Sequence, residues 1–116
     1  MSTLVTVLML CCTVISATAG QTIKKSAELE NAAVCIGYTA YFLCDINGDP
    51  IPDYDWFHDG VKINNTMRFN MRQTPQYSRL RIINTITTDS GEYTCKAFNA
   101  AGVITTSGQL RVRTDC

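Results

Sequence analysis

The side chains of this 116-residue chain that could do chemistry are few, and six cysteines lead them. Cys11, Cys12, Cys35, Cys44, Cys95 and Cys116 could pair as disulfides, hold a soft metal or act as nucleophiles. A metal is disfavoured because His58 is the one histidine and thiols outside the cell oxidise. His58 is also the one general base of its type. Asp55 and Asp59 stand beside it along a strand, an arrangement that does not make a catalytic triad. Asp45, Asp49, Asp53, Asp55 and Asp59 crowd one stretch, but no glutamate closes it as the bidentate ligand of a calcium loop. There is no Gly-rich phosphate loop. The expectation is a protein without catalysis, cofactor or metal. One motif invites chemistry upon the chain: Asn64-Asn65-Thr66 is an N-glycosylation sequon with Asn64 as acceptor.

The compartment decides what the thiols do. Met1 to Ile23 carries no charged side chain, and Leu4 to Ile15 is apolar except for Thr6 and Thr13. Ser16 to Gly20 are small, with an A-x-A pattern at Ala17-Thr18-Ala19. This reads as a signal peptide over 1–19, its apolar run shorter than the roughly 20 residues a bilayer span needs. No second apolar run follows, and Arg111 to Cys116 is polar, so no membrane insertion is expected. The mature chain is expected to be soluble and secreted. Cys11 and Cys12 would leave with the leader. Cys35, Cys44, Cys95 and Cys116 would then form two disulfides, by one of three connectivities.

The rest of the chain must position these groups. Its length allows one domain, and an apolar content of 46% suits a folded one. Ten basic and ten acidic residues balance, so no net field favours nucleic acid or an anionic membrane. Strand signals recur about every ten residues between turns, the pattern of an all-β sandwich. Thr39 to Asp45 alternates with Ala40, Phe42 and Cys44 on one face, and Asn47 to Asp53 has the composition of a polar Pro/Gly loop. Tyr54 to Phe57 is a strand, Asp59-Gly60 a tight turn, Val61 to Ile63 a short strand and Met67 to Met71 an edge strand. Ser78 to Asn84 alternates with Leu80 and Ile82 inward and Arg79 and Arg81 outward. Gly91 to Asn99 points Tyr93, Cys95 and Ala97 inward, and Val103 to Val112 closes the domain. Residues 20–27 read as a partly mobile lead-in to a domain over 28–116.

Cys44, then Trp56, then Asp89-Ser90-Gly91-Glu92-Tyr93-Thr94-Cys95 resembles the immunoglobulin superfamily. The resemblance implies an immunoglobulin-like β-sandwich, two antiparallel sheets in Greek-key topology, with Cys44 bridged to Cys95 across it. Closing a loop of about 50 residues should stabilise the fold by roughly 4 kcal/mol. Trp56 should lie over that bridge, Leu80 beside it, and Tyr93 should bond back to the backbone as a tyrosine corner. Asp89, ahead of Gly91, could pair with Arg68. Gly48-Asp49-Pro50-Ile51-Pro52 with Trp56-Phe57-His58-Asp59-Gly60 is similar to the I-set subtype. Ser78 to Ile82, Thr87 to Gly91 and Thr105 to Gly108 also resemble the immunoglobulin module of Ror-type receptor tyrosine kinases, and the whole resembles secreted one-immunoglobulin-domain neuronal and neuromuscular proteins of invertebrates.

Cys35 and Cys116 depart from that pattern. In the implied fold they lie near the ends of two parallel neighbouring strands, so they could bridge; alternatively Cys116 could link two chains, leaving monomer or disulfide-linked dimer open. Lys62, Arg68, Arg72, Arg79 and Arg81 follow the aspartates without an intervening acid, which predicts an acidic loop end and a basic stripe. What the resemblance implies about function is binding of an extracellular or membrane receptor protein, as an adaptor in cell adhesion, synapse or receptor organisation, or neurite guidance. A secreted immune or pattern-binding module, or a soluble antagonist of an immunoglobulin-bearing receptor, would fit the same residues. Heparan sulfate is a further partner the basic stripe would suit.

Overall fold

The computed structural model describes residues 20–116, so the expected signal peptide and Cys11 and Cys12 lie outside the described residues. Ten strands follow one another: β1 (Thr22–Lys25), β2 (Ala32–Cys35), β3 (Ala40–Cys44), β4 (Ile46–Asp49), β5 (Asp53–His58), β6 (Val61–Lys62), β7 (Phe69–Gln73), β8 (Ser78–Ile82), β9 (Gly91–Asn99) and β10 (Gly102–Arg113). A 3₁₀ turn, Thr87–Asp89, precedes β9. One sheet has the order β2-β10-β9-β5-β6 and the other β3-β8-β7. They pack face to face as a sandwich, every pair antiparallel except β2 with β10, which run parallel.

Period-two alternation explains why these segments form strands and which face each buries. In β3, Ala40, Phe42 and Cys44 are buried while Tyr41 and Leu43 are exposed. In β8, Ser78, Leu80 and Ile82 are buried, and in β9, Tyr93, Cys95 and Ala97. Trp56 of β5 and Leu110 of β10 complete the inner layer. Fully burying one such aromatic or aliphatic side chain is worth about 1.5–3 kcal/mol.

The N-terminal side of the domain differs from the expectation. Thr22–Lys25, read as lead-in, is strand β1, and Asn47 to Asp49, read as loop, belongs to strand β4. The two form a separate antiparallel ribbon, Thr22 opposite Asp49 and Lys25 opposite Ile46. Asn, Gly and Asp carry turn chemistry, but here tertiary pairing overrides it. Gly48 permits the approach: a Cβ there would stand 2.4 Å from the Thr22 carbonyl oxygen. Asn99 Nδ2 ties the ribbon down by donating to the carbonyls of Thr22 at 2.7 Å and Pro50 at 2.8 Å.

Candidate interaction surface and the cross-links beneath it

At the centre of the sandwich the Cys44 and Cys95 sulfurs are joined, with their Cα atoms 6.2 Å apart. Trp56 is opposite Cys95 in the β5–β9 register and is buried. Its indole Nε1 donates to Ser78 Oγ at 2.9 Å, so the one polar atom of a buried ring is satisfied. Phe42 lies between, its ring centroid 6.5 Å from Trp56 and 5.1 Å from Tyr93. Leu80 is buried directly opposite Phe42. Ser78 was not singled out from the sequence. The signal was there, since alternation in Ser78 to Ile82 turns a hydroxyl toward the core, where it needs a partner.

Below this centre is a polar clamp. Tyr93 Oη donates to the Asp89 carbonyl at 2.6 Å. The Asp89 carboxylate receives Arg68 through both guanidinium branches at 2.9 and 3.0 Å, and also the Ile86 amide at 2.9 Å. Burial pushes the Asp89 carboxyl up, but Arg68 and the Ile86 amide outweigh it and hold the group below its ordinary value. Burial beside Asp89 pushes the Tyr93 phenol well above its ordinary value. His58 stacks on Tyr93, centroids 4.4 Å apart, and its Nε2 lies 3.1 Å from the Ser90 carbonyl. Gly91 makes that stack possible: its φ is +141°, and a Cβ would fall 2.6 Å from the Asp59 carboxylate and 2.9 Å from His58 Nε2. His58 is thereby packed as a structural ring.

The second cross-link is marginal. Parallel pairing sets Arg113 opposite Cys35, and the Ile36 amide donates to the Arg113 carbonyl at 2.8 Å. The chain then reaches Cys116, whose Cα is 5.9 Å from that of Cys35, and the sulfurs are joined. Cys35 is half-buried and Cys116 exposed.

The outer faces of the two sheets carry different chemistry. On the five-stranded sheet Asp55 is opposite Lys96 in register and 3.5 Å from Lys62 Nζ. Thr94 and Ser107 join hydroxyls at 2.7 Å, and Lys96 lies 5.7 Å from the Phe98 ring. On that face Lys62 is paired with Asp55, whereas Lys96 and the exposed Arg111 of β10 form no ion pair among the described residues. On the three-stranded sheet the register sets Tyr41 opposite Arg81, Leu43 opposite Arg79, and Arg79 opposite Arg72. Tyr41 is 54% exposed and Leu43 52%. The basic stripe read from the sequence is thus reduced to Arg72, Arg79 and Arg81, because Arg68 turns to Asp89 and Lys62 to Asp55. The acidic end is divided as well. Asp53 opens β5, while Asp59 follows its other end and accepts from the Glu92 amide at 2.9 Å.

Asn64 is exposed between β6 and β7, with Thr66 Oγ1 accepting from the Phe69 amide at 3.0 Å. Among the described residues no group of three His, Cys, Asp or Glu is placed to hold a metal ion, and no helix is long and apolar enough to cross a membrane.

The profile of the immunoglobulin I-set domain matches residues 23–112. A mouse protein described as cell adhesion molecule-related/down-regulated by oncogenes is 32% identical over 90 residues, covering 78% of this chain and 7% of that protein. The titin homolog of Caenorhabditis elegans is 38% identical over 82 residues, covering 68% of this chain and, to the nearest per cent, 0% of that protein. Among solved structures, titin domain M7 superposes with a TM-score of 0.76 at 28% identity, covering 79% of this chain and 94% of that one. The chain therefore spans less than a tenth of these curated relatives, while the match covers 94% of the titin M7 domain structure.

Proposed function

We propose a protein-binding role outside the cell from one premise: the chain belongs to the immunoglobulin I-set family. The fold is a binding scaffold, and its conspicuous polar groups are spent on structure. His58 is stacked, Asp89 is neutralised by Arg68, and the four cysteines among the described residues are joined in pairs. The remaining assets are two outer faces and the loops between strands. A rigid sandwich of this kind acts by presenting surface to another protein.

The observation that carries the extracellular reading is the Cys35–Cys116 bridge. It ends on an exposed residue at the sheet margin, where reducing thiols have access. Such a bond persists in an oxidising compartment, which agrees with the apolar, uncharged stretch ahead of residue 20. The mature chain would then be an adaptor that bridges or masks receptor proteins at cell surfaces, in adhesion or in receptor and synapse organisation. Asn64, exposed beside β6 and β7, would carry a glycan that closes those sheet edges to strand addition.

Expression of the full chain in cultured secretory cells tests this reading. The chain should appear in the medium, begin at Gly20, show both disulfides by peptide mapping, and lose mass on enzymatic deglycosylation unless Asn64 is replaced by Asp. The purified product should bind intact cells, and mild trypsin treatment of those cells should abolish binding. Retention in the cytosol with Cys35 and Cys116 open to alkylation would overturn the extracellular assignment. Binding that survives trypsin would overturn the protein partner.

A further inference from the structure

The outer face of β3-β8-β7 contains an arrangement that folding does not require. Arg79 and Arg72 are directly opposite each other in an antiparallel pair, and Arg81 is two residues along β8 on the same face. Like charges so placed oppose one another and cost stability. None of the three forms an ion pair among the described residues, although the chain pairs Arg68, Lys62, Lys25 and Arg113 elsewhere. Arg79 and Arg81 also keep their covered Nε atoms without an acceptor. Beside them Tyr41 and Leu43 are each more than half exposed, and Arg79 lies 5.8 Å from the Tyr41 ring centroid. Three unneutralised guanidiniums bordering an exposed aromatic and an exposed leucine form a surface still lacking its counter-charge.

We propose that this face is a docking site for an acidic protein surface, one that sets carboxylates against Arg72, Arg79 and Arg81 and apolar side chains on Tyr41 and Leu43. This assignment rests on the protein-binding reading above and gives it a location. The guanidinium fork suits carboxylates because it donates two parallel hydrogen bonds. Tyr and Arg are also the residue types that dominate binding energy at protein interfaces. A sulfated glycan would satisfy the arginines but leave Tyr41 and Leu43 in water. A second copy of the chain fits worse. Arg79 and Arg81 stand on the central strand of the sheet, so a two-fold pairing centred on this face would set arginine against arginine.

The test uses the secreted chain, labelled with ¹⁵N, titrated with three defined polyanions: a glutamate–tyrosine copolymer, polyglutamate and heparin. The copolymer should bind at least tenfold more tightly than polyglutamate, moving the amide signals of Tyr41, Leu43, Arg79 and Arg81. The double substitution Arg79→Glu/Arg81→Glu should weaken that binding at least tenfold, and Tyr41→Ser/Leu43→Ser should remove the preference for the copolymer. Lys96→Glu on the opposite face should leave binding unchanged. Both double variants alter exposed or half-buried positions, and retained circular dichroism separates lost binding from lost fold. Heparin binding the same residues as tightly as the copolymer would overturn the proposal in favour of a glycan site. A dimer in sedimentation that Arg79→Glu/Arg81→Glu dissolves would overturn it in favour of self-association. Copolymer shifts confined to the β9–β5 face would also overturn it, while leaving the protein-binding reading intact, since that reading is judged by trypsin-sensitive cell binding.

Discussion

Cys44 and Cys95 are joined at the centre of the sandwich, both fully buried, whereas Cys35 and Cys116 are joined at its margin, one half-buried and one exposed. Their sequence separations are 51 and 81 residues. By loop entropy alone the two bonds constrain the unfolded chain almost equally, each by about 4–5 kcal/mol. What distinguishes them is their surroundings. The central pair is packed beneath Trp56 and Phe42, so its sulfurs are also core atoms. The marginal pair ends on the exposed Cys116 and acts chiefly as a tether. The same contrast holds for polar contacts. Ser78 serves one buried indole at the centre, while Arg68 and Asp89 form a charged clamp near the edge.

Replacing both central cysteines, Cys44→Ala/Cys95→Ala, should have the largest effect. Loop entropy and a cavity under Trp56 add together, for a loss above about 5 kcal/mol that leaves a domain of this size largely unfolded at 37 °C. Urea denaturation with Trp56 fluorescence measures it. Cys35→Ala/Cys116→Ala should cost about 4 kcal/mol, the loop entropy alone, and leave the near-ultraviolet circular dichroism of Trp56 and Tyr93 unchanged. If the marginal pair proved as costly as the central one, packing would contribute nothing to the distinction and the contrast would collapse.

Arg68→Ala should come next, at about 2–3 kcal/mol, because it strands a buried carboxylate that keeps only the Ile86 amide. The sign with pH follows from the lowered Asp89 value. A carboxyl whose folded pKa lies below its unfolded value, about 3.9, contributes stability that is complete above that value and lost as pH falls through the folded one. Wild type should therefore lose stability below about pH 4, and Asp89→Asn should flatten that acid limb. An unchanged limb in Asp89→Asn would remove the clamp from the account. The smallest effect is expected from Ser78→Ala, about 1–2 kcal/mol for an unsatisfied Trp56 Nε1, with a shift in indole emission as the second readout.

Much of the centre was legible from residue types and spacing. Phe42, Cys44, Leu80, Ile82, Tyr93 and Cys95 announce their faces by alternation, and Arg68 and Asp89 were paired through family resemblance. The margins were less legible. Ile23 opposite Gly48 leaves no period long enough to read, and Asn47-Gly48-Asp49 speaks the language of turns. Only pairing with a distant segment turns that stretch into a strand. The five aspartates and five basic residues form two blocks along the chain, yet β5 separates Asp53 at its start from Asp59 just past its end.

By itself the amino-acid sequence determined the class of fold, because a side-chain period of two and a buried Cys, Trp and Tyr set are local properties of each strand. The tertiary structure alone decided where charge is left over. Lys62 finds a carboxylate on β5 and Arg68 one at the end of the 3₁₀ turn, while Arg72 meets Arg79 across the β7–β8 register with Arg81 two residues farther along β8. Neutralisation and register are relations between segments distant along the chain, and they acquire values only when the sheets are assembled.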